Sequence, residues 1–178
     1  MKGLKNIEVV PHRTEWQSHF KAEKAVLEKQ LAERIIALYH IGSSSVVGLS
    51  AKPIIDMLLV TDDLEKLDLA SPLFEQLGYE VMGEFGISGR RYYRKGKDPR
   101  THHIHAFQFD NVTEIERHVL FRDYLRTHPK AATEYGKLKL QLAERFPHDI
   151  DSYCDGKEAF VKQLEKEALI WHFKTRDS

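Results

Sequence analysis

The spacing of apolar residues changes along the chain, from a mixture of strand-like and helical periods in the first two thirds to helical periods alone in the last third. Short apolar runs bounded by turn residues predict strands. These runs lie at residues 7–10, 35–41, 54–60, 79–85, 90–94 and 103–109. The pattern therefore predicts an α+β fold, in which helices pack against a sheet.

Helices are predicted where apolar residues recur every three or four positions. The first covers residues 16–31, and a second, over residues 64–77, is expected to break at Pro72. Three more follow the last strand.

The first of these three helices is expected to open with a capping box that begins at Thr113, the next to start at Pro129, and the last to include residues 160–171. The C-terminal helices, from about residue 112, are expected to pack on the sheet. Residues 1–178 are expected to form one domain.

One acidic residue interrupts the most apolar run of the chain, where Asp56 lies between Ile55 and Met57. A run that is apolar on both sides predicts a strand covered on both faces and central in its sheet. An ionised carboxylate in that position needs a cation, a metal or converging hydrogen-bond donors, and Lys52 or a histidine is the expected partner. Asp56 is therefore the candidate catalytic residue. The alternative is a structural acid satisfied by backbone amides.

A turn rich in glycine and serine precedes this strand and contains Gly42, Ser43, Ser44 and Ser45. Glycine permits close backbone approach, while serine hydroxyls and turn amides donate hydrogen bonds to an anion such as phosphate. We predict that these four residues bind phosphate or a nucleotide. Twelve residues separate Ser43 from Asp56. A Gly-Ser pair followed after about this interval by an acid on a strand is the arrangement of nucleotidyltransferases, in which the turn holds the triphosphate and the acid holds magnesium.

Two histidines, His103 and His105, alternate on a predicted strand and are expected to share one face. Together with Asp56 they would form a two-histidine, one-carboxylate set for a divalent metal, better suited to zinc, manganese or iron than to magnesium. Two alternatives stay open. The imidazoles could hydrogen-bond to phosphate, or they could be ordinary solvated or core histidines.

The segment from Arg90 to Arg100 carries six cations against one acid, whereas residues 62–84 are acidic. Alternation on a strand puts Arg90 and Arg94 on one face and Arg91 on the other. Since arginine forks bind phosphate oxygens, Arg90, Arg91 and the nearby Lys52 are predicted phosphate or nucleotide ligands. The alternative is a solvated edge hairpin whose charges prevent association between sheets.

Composition narrows the class of protein. The chain has 178 residues, 42% of them hydrophobic, with 27 basic and 27 acidic side chains, so generic nucleic-acid binding is not expected. A single cysteine, Cys154, excludes an intrachain disulfide framework and favours a reducing, cytoplasmic location. No apolar run approaches the roughly 20 residues that cross a bilayer, so no membrane partner is expected.

Several short motifs, taken together, resemble the GrpB family over nearly the whole chain. They are Glu8 to Pro11 with Trp16, His40-Ile41-Gly42-Ser43, Gly48-Leu49, Lys52-Pro53-Ile54-Ile55-Asp56, His103 with His105, Phe121-Arg122-Asp123-Tyr124-Leu125-Arg126, and Glu134-Tyr135 with Leu138-Lys139. The resemblance implies a nucleotidyltransferase-like mixed β-sheet with flanking helices and a helical C-terminal third. It also adds Arg122 to the candidate phosphate ligands. Dephospho-CoA kinase is implied as a partner, because the same domain occurs fused to that enzyme in some bacteria.

Two function classes remain open. As an enzyme, the protein would transfer a nucleotidyl or related phosphoryl group, with one divalent ion (magnesium, manganese or zinc) on Asp56, His103 and His105. Active nucleotidyltransferases usually carry a second carboxylate at the position that is Leu58 here, so two-magnesium catalysis is in doubt. The alternative is a non-catalytic nucleotide-binding or coenzyme-binding module, for example one that assists dephospho-CoA kinase.

Overall fold

A five-stranded mixed sheet forms the centre of the computed structural model, which describes residues 6–176. The strands are β1 Ala37–Ile41, β2 Ile55–Thr61, β3 Tyr79–Val81, β4 Arg90–Lys95 and β5 His102–Gln108. Their spatial order is β1-β2-β5-β4-β3, with β2 and β5 parallel and the other neighbours antiparallel. The strand that carries Asp56 is therefore interior, as its apolar run predicted.

Six helices flank this sheet within the described residues. They are α1 Glu15–Leu31, α2 Leu64–Leu69, α3 Ser71–Gln76, α4 Val112–Thr127, α5 Pro129–Arg145 and α6 Ile150–Thr175. The α+β class, the mixed sheet and the helical C-terminal region are confirmed. None of the helices between residues 6 and 176 is long and apolar enough to cross a bilayer.

One face of the sheet packs against α1, α2 and α3. Met57 and Ile104 point to this face and are fully buried together with Leu27 and Phe74. The ring of Tyr93 stacks on Phe74, with centroids 3.8 Å apart. Burial of these large side chains supplies much of the free energy that holds the first three helices in place.

The opposite face, which carries Asp56, is covered only in part. Leu58 and Phe107 are fully buried there with Ile41, and Ile115 and Val119 of α4 pack on them. Asp56 lies near the beginning of β2, beside the turn that precedes the strand.

A separate apolar cluster ties the segment after the turn to the C-terminal helices. Val46 and Leu49 pack with Leu125 of α4, Tyr135 of α5 and Leu164 of α6. This cluster brings α5 and α6 against the turn, and side chains from both helices line a cavity beside Asp56.

The structure departs from the predicted elements in three places. Residues 7–10 form no strand; a single antiparallel bridge joins Val10 to Ala51, because Pro11 has no backbone N–H to continue the pairing. β3 ends at Val81, since Gly83 takes a positive φ of 62° and bends the chain. The predicted capping box at Thr113 is wrong, because α4 begins at Val112 with Asn111 as its N-cap, so Thr113 lies inside the first turn. The predicted break near Pro72 is confirmed by the separation of α2 from α3.

The acidic and basic segments neutralise each other across the sheet. Arg91 Nε lies 2.7 Å from Asp68 Oδ1, and Arg94 and Arg100 contact Glu80 at 3.3 and 2.7 Å. β4 is not an edge strand, because β3 pairs with its outer side. Most of this positive charge is therefore matched within the protein.

Candidate functional site

The parallel pairing of β2 with β5 brings the three predicted site residues together. Asp56 lies opposite His103 in the register, and Leu58 lies opposite His105. His103 Nδ1 is 3.5 Å and His105 Nε2 is 3.4 Å from the same oxygen, Asp56 Oδ1. The two imidazoles share one face of β5, as the alternation predicted.

The carboxylate of Asp56 is held between opposing effects. Its Oδ1 atom is shielded from solvent and makes no hydrogen bond of good geometry, so the 31% exposure of the side chain comes from its other atoms. Burial opposes ionisation, but the close contacts of His103 and His105, and the positive charge that these rings carry when protonated, together outweigh it. They hold the pKa of Asp56 well below its usual range. Asp56 is therefore ionised at neutral pH.

The proton position on His105 follows from its neighbour on β4. Arg90 is buried, donates to the carbonyl oxygens of Glu84 and Phe85, and places Nη1 3.2 Å from His105 Nδ1. A guanidinium only donates hydrogen bonds, so His105 Nδ1 accepts, and the ring proton of the neutral imidazole lies on Nε2. That proton faces Asp56. Arg90 thus acts on Asp56 through His105.

This arrangement does not fit a divalent metal. A protonated Nε2 has no lone pair to offer, so His105 could not join Asp56 and His103 as a ligand while Arg90 keeps its contact. Among residues 6–176 no group of three or more His, Cys, Asp or Glu side chains has the geometry of a metal site. Metal binding by this triad stays a prediction that the contacts do not favour.

Gly42 lets the turn approach Asp56 closely. Its φ is +69°, and a Cβ built on it would lie 2.9 Å from Asp56 Oδ2. Only glycine meets both conditions without strain. The backbone of the predicted phosphate turn therefore rests directly on the carboxylate.

A cavity of about 160 Å³, which we call the lysine cavity, opens beside Asp56. Gly42, Ser43, Ser44 and His103 line it from the sheet side. The lysines and tyrosines that line it are Lys52, Tyr135, Lys139, Tyr153 and Lys157. Asp56 is the one carboxylate among the described residues that line this cavity.

Lys139 is the most unusual of these residues. Its side chain lies on α5, is 2% exposed, and places Nζ 4.5 Å from the centre of the Tyr135 ring. Nζ has no hydrogen-bond partner among the described residues. Burial, reinforced by the charges of Lys157 and Lys52 and opposed by Asp56, lowers the pKa of Lys139 from 10.5 to about 7.

The other two lysines share an aromatic surface. The ammonium groups of Lys157 and Lys52 lie 5.0 and 5.5 Å from the centre of the buried Tyr153 ring. Burial and the charge of Lys52 lower the pKa of Lys157 as well. These cations repel one another, so their proximity costs free energy in the absence of an anion.

Unsatisfied polar atoms concentrate in the lysine cavity. Lys139 Nζ and Tyr153 Oη are buried without a hydrogen bond, Asp56 Oδ1 has only the long contacts to two imidazoles, and all three residues line this one cavity. Buried polar groups are nearly always satisfied in folded proteins, so such a concentration points to a functional site.

No site role was predicted for Lys139, Lys157, Tyr135 or Tyr153. A signal was present, since Lys139 falls four residues after Tyr135 and three before Leu142, on the apolar stripe of α5. A lysine on an apolar stripe is either a snorkelling side chain or a buried charge, and the sequence does not distinguish them.

Two serines of the predicted turn are occupied by internal contacts. Ser44 Oγ lies 3.0 Å from His40 Nε2, and Ser45 donates to the Gly42 carbonyl at 2.6 Å. Ser43 also makes an internal contact, a side-chain hydrogen bond to Tyr135, but this contact lies at the lysine cavity. Of the turn residues, Gly42 and Ser43 are therefore best placed to meet a ligand beside Asp56.

Two predicted arginines lie elsewhere. Arg91 points to the opposite face of the sheet from Arg90 and pairs with Asp68. Arg122 donates to the His40 carbonyl at 3.2 Å and to Asp123 at 2.9 Å, and it lines a different cavity. The structure does not bring either guanidinium into the lysine cavity.

Comparison with known proteins gives consistent matches. A family model described as GrpB protein matches residues 6–167. The chain is 42% identical over 167 residues to the UPF0157 protein YqkA of Bacillus subtilis, covering 94% of this chain and 48% of that protein, so it spans about half the length of YqkA. The crystal structure of conserved protein GrpB from Enterococcus faecalis has a TM-score of 0.90 and 51% identity, and the match covers 93% of this chain and 99% of that one.

A more distant match concerns a longer protein. The dephospho-CoA kinase of Mycolicibacterium paratuberculosis is 25% identical over 189 residues, which cover 93% of this chain and 46% of the kinase. The similarity thus occupies less than half of that protein.

A matched pair of glycine substitutions tests the contact between the turn and Asp56. Gly42 and Gly48 have φ values of +69° and +84°, but a Cβ on Gly48 would meet nothing within 4 Å. We expect Gly48→Ala to lower the free energy of unfolding by about 1–2 kcal/mol through backbone strain alone. Gly42→Ala should cost at least about 1 kcal/mol more, because it also displaces the Asp56 carboxylate. Denaturant unfolding measures both, and equal losses would show that the contact is not tight.

The protonation of His105 can be read directly by NMR of its ring nitrogens at mildly alkaline pH. We expect proton on Nε2 in the native protein and a mixture of tautomers in Arg90→Met, because the donor to Nδ1 is removed. Arg94→Met is the matched control, since Arg94 lies on the same face of β4 but pairs with Glu80. A native His105 with its proton on Nδ1 would contradict the assignment.

Proposed function

Since this chain belongs to the GrpB family, whose model matches residues 6–167, we propose that its family fold serves here to bind the phosphate groups of a nucleotide or other phosphorylated small molecule in the lysine cavity. The observation that carries this proposal is the buried ammonium of Lys139, which has no hydrogen-bond partner among the described residues. Removing an ammonium from water without a counter-charge costs several kcal/mol, so its position needs a compensating role.

The charge balance of the cavity favours an anion. Three lysines line it against the single carboxylate of Asp56, which already contacts two imidazoles. A phosphate group would supply the negative charge that Lys139 lacks and would relieve the repulsion among the three ammonium groups. The hydroxyl of Ser43 and the close backbone at Gly42 add contacts to such a ligand.

An adjoining cavity supports a ligand larger than inorganic phosphate. It measures about 430 Å³ and shares Lys52, Ile54 and His103 with the lysine cavity. Pro53 and Tyr92 also line it and offer apolar and aromatic surface. A nucleoside or another organic group could lie there, with its phosphate groups on the lysines.

Nucleotidyl transfer, if the site performs it, would depend on lysines instead of a pair of metal ions. Leu58 stands where a second carboxylate would be, and it is fully buried against Ile41 and Phe107. Lys52, Lys139 and Lys157 would then stabilise the charge that develops on the phosphoryl oxygens. His103 lies at the junction of the two cavities, where a reacting group would meet both parts of the ligand.

A non-catalytic role is the second candidate. It is favoured by the similarity to part of a dephospho-CoA kinase, in which the matching region covers 46% of the length. On this view the lysine cavity binds a coenzyme precursor and assists such a kinase without turnover. Binding of dephospho-CoA without any product from nucleoside triphosphates would separate this role from nucleotidyl transfer.

Replacing Lys139 should move stability and binding in opposite directions. We expect Lys139→Met to raise the free energy of unfolding by on the order of 1–4 kcal/mol at neutral pH, because a buried charge is replaced by an apolar side chain. The same change should weaken binding of inorganic phosphate, ATP or dephospho-CoA about ten- to a hundredfold, the loss of one charge-assisted contact. Calorimetry and denaturant unfolding give both values.

Lys137→Met is the matched control for that substitution, because Lys137 is exposed on the same helix. It should change neither quantity appreciably. A native protein that binds none of the three ligands, or a Lys139→Met protein that binds them as tightly as the native one, would refute the proposal.

Ligand binding should also take up a proton. The pKa of Lys139 is lowered to about 7 in the free protein, and a bound phosphate group would raise it towards the ordinary 10.5. Between these values the free protein has lost a proton that the complex holds, so affinity should fall as pH rises above about 7. Titration calorimetry near pH 8–9, where phosphate groups are already ionised, in buffers of different ionisation enthalpy should detect uptake. No uptake in the native protein, or equal uptake in Lys139→Met, would contradict this.

A further inference from the structure

A second cavity, which we call the basic groove, borders the Ser43–Ser45 turn between α1, β1 and α4 and measures about 630 Å³. Its cations are Lys21 and Lys24 from α1 and Arg122 and Arg126 from α4. None of the described residues that line it is acidic. The protein as a whole has a formal net charge of zero, whereas the lining of this groove has a local excess of positive charge.

The guanidinium of Arg126 is only partly neutralised. Its Nε and Nη2 atoms donate to the Ser45 carbonyl at 3.1 and 2.9 Å, which is a neutral acceptor. Burial and the nearby charge of Arg122 lower the pKa of Arg126, and Asp123 opposes them. Since a guanidinium has five N–H donors and two are used here, Arg126 retains donors for a ligand.

The lysines of α1 complete the cationic rim. Lys24 contacts Glu28 at a loose 3.6 Å with 40% of its side chain exposed, and Lys21 is exposed on the same helix. Long flexible ammonium groups at the mouth of a cavity with fixed guanidiniums inside are suited to anions with more than one charged group.

Two further features point to an organic ligand. His12 Nδ1 is shielded from solvent yet has no hydrogen-bond partner among the described residues. The ring of Phe20 stacks on His40, with centroids 4.9 Å apart, and forms an apolar wall. The volume of the groove also lies within the range of small-molecule sites.

We propose that the basic groove is a separate binding site for an organic phosphate. The phosphate groups contact Arg126, Lys21 and Lys24, while the organic part lies against Phe20 and within reach of His12. The site is distinct from the lysine cavity, because its cations belong to α1 and α4 and none of them lines that cavity, although Ser44 borders both.

The test is an NMR titration of backbone amides with ADP, with adenosine as the uncharged comparison. We expect ADP to shift the amides of Lys21, His40 and Arg126, and adenosine to leave them unchanged. In Lys21→Gln/Lys24→Gln the dissociation constant from these amides should rise roughly fivefold or more, because two exposed phosphate contacts are lost. The amides of Lys139 and Lys157, which line the lysine cavity but not the groove, report the lysine cavity separately.

The control carries Lys29→Gln and Lys174→Gln, which remove the same charge from exposed positions outside the groove. It should bind ADP in the groove as the native protein does. The proposal is overturned if ADP does not shift the groove amides, if adenosine shifts them equally, or if the two double variants bind alike.

Discussion

The parallel register between β2 and β5 is the constraint on which the rest of the molecule depends. It sets Asp56 opposite His103 and Leu58 opposite His105. A slip of one residue would turn every side chain of a strand to the other face, since strand side chains alternate. Met57 would then leave the core under the first three helices, and Asp56 would enter it. Apolar burial on both faces therefore fixes the position of the carboxylate.

Around that carboxylate the charges are divided unequally. The acids of the segment before β4 pair with its arginines, so that part of the surface is neutral. Lys139 of α5 and Lys157 of α6 form no ion pair within the described residues, and the one carboxylate that lines their cavity, Asp56, already contacts two imidazoles. The cavity concentrates positive charge at a cost in folding stability, a pattern typical of sites that bind anions.

Several elements could be predicted from local pattern because their causes are local. The apolar run around Asp56 predicted an interior strand, the stripe of residues 16–31 a helix, and Pro72 a break between α2 and α3. The strand predicted over residues 7–10 was wrong, because a strand depends on pairing with a distant segment of the chain. Their strand-like composition needs a partner strand, and the chain offers Val10 a single bridge to Ala51.

The sequence by itself determined that His103 and His105 share a face and that Asp56 lies in an interior strand, because alternation and apolar content act over a few residues. Tertiary structure decided which charges meet. Lys139 and Lys157 line the cavity beside Asp56, while Arg91 and Arg122 point elsewhere, and local spacing predicts neither outcome. The reason is that the local sequence around a charged residue does not reveal whether helix packing leaves its side chain in water or buries it beside a carboxylate.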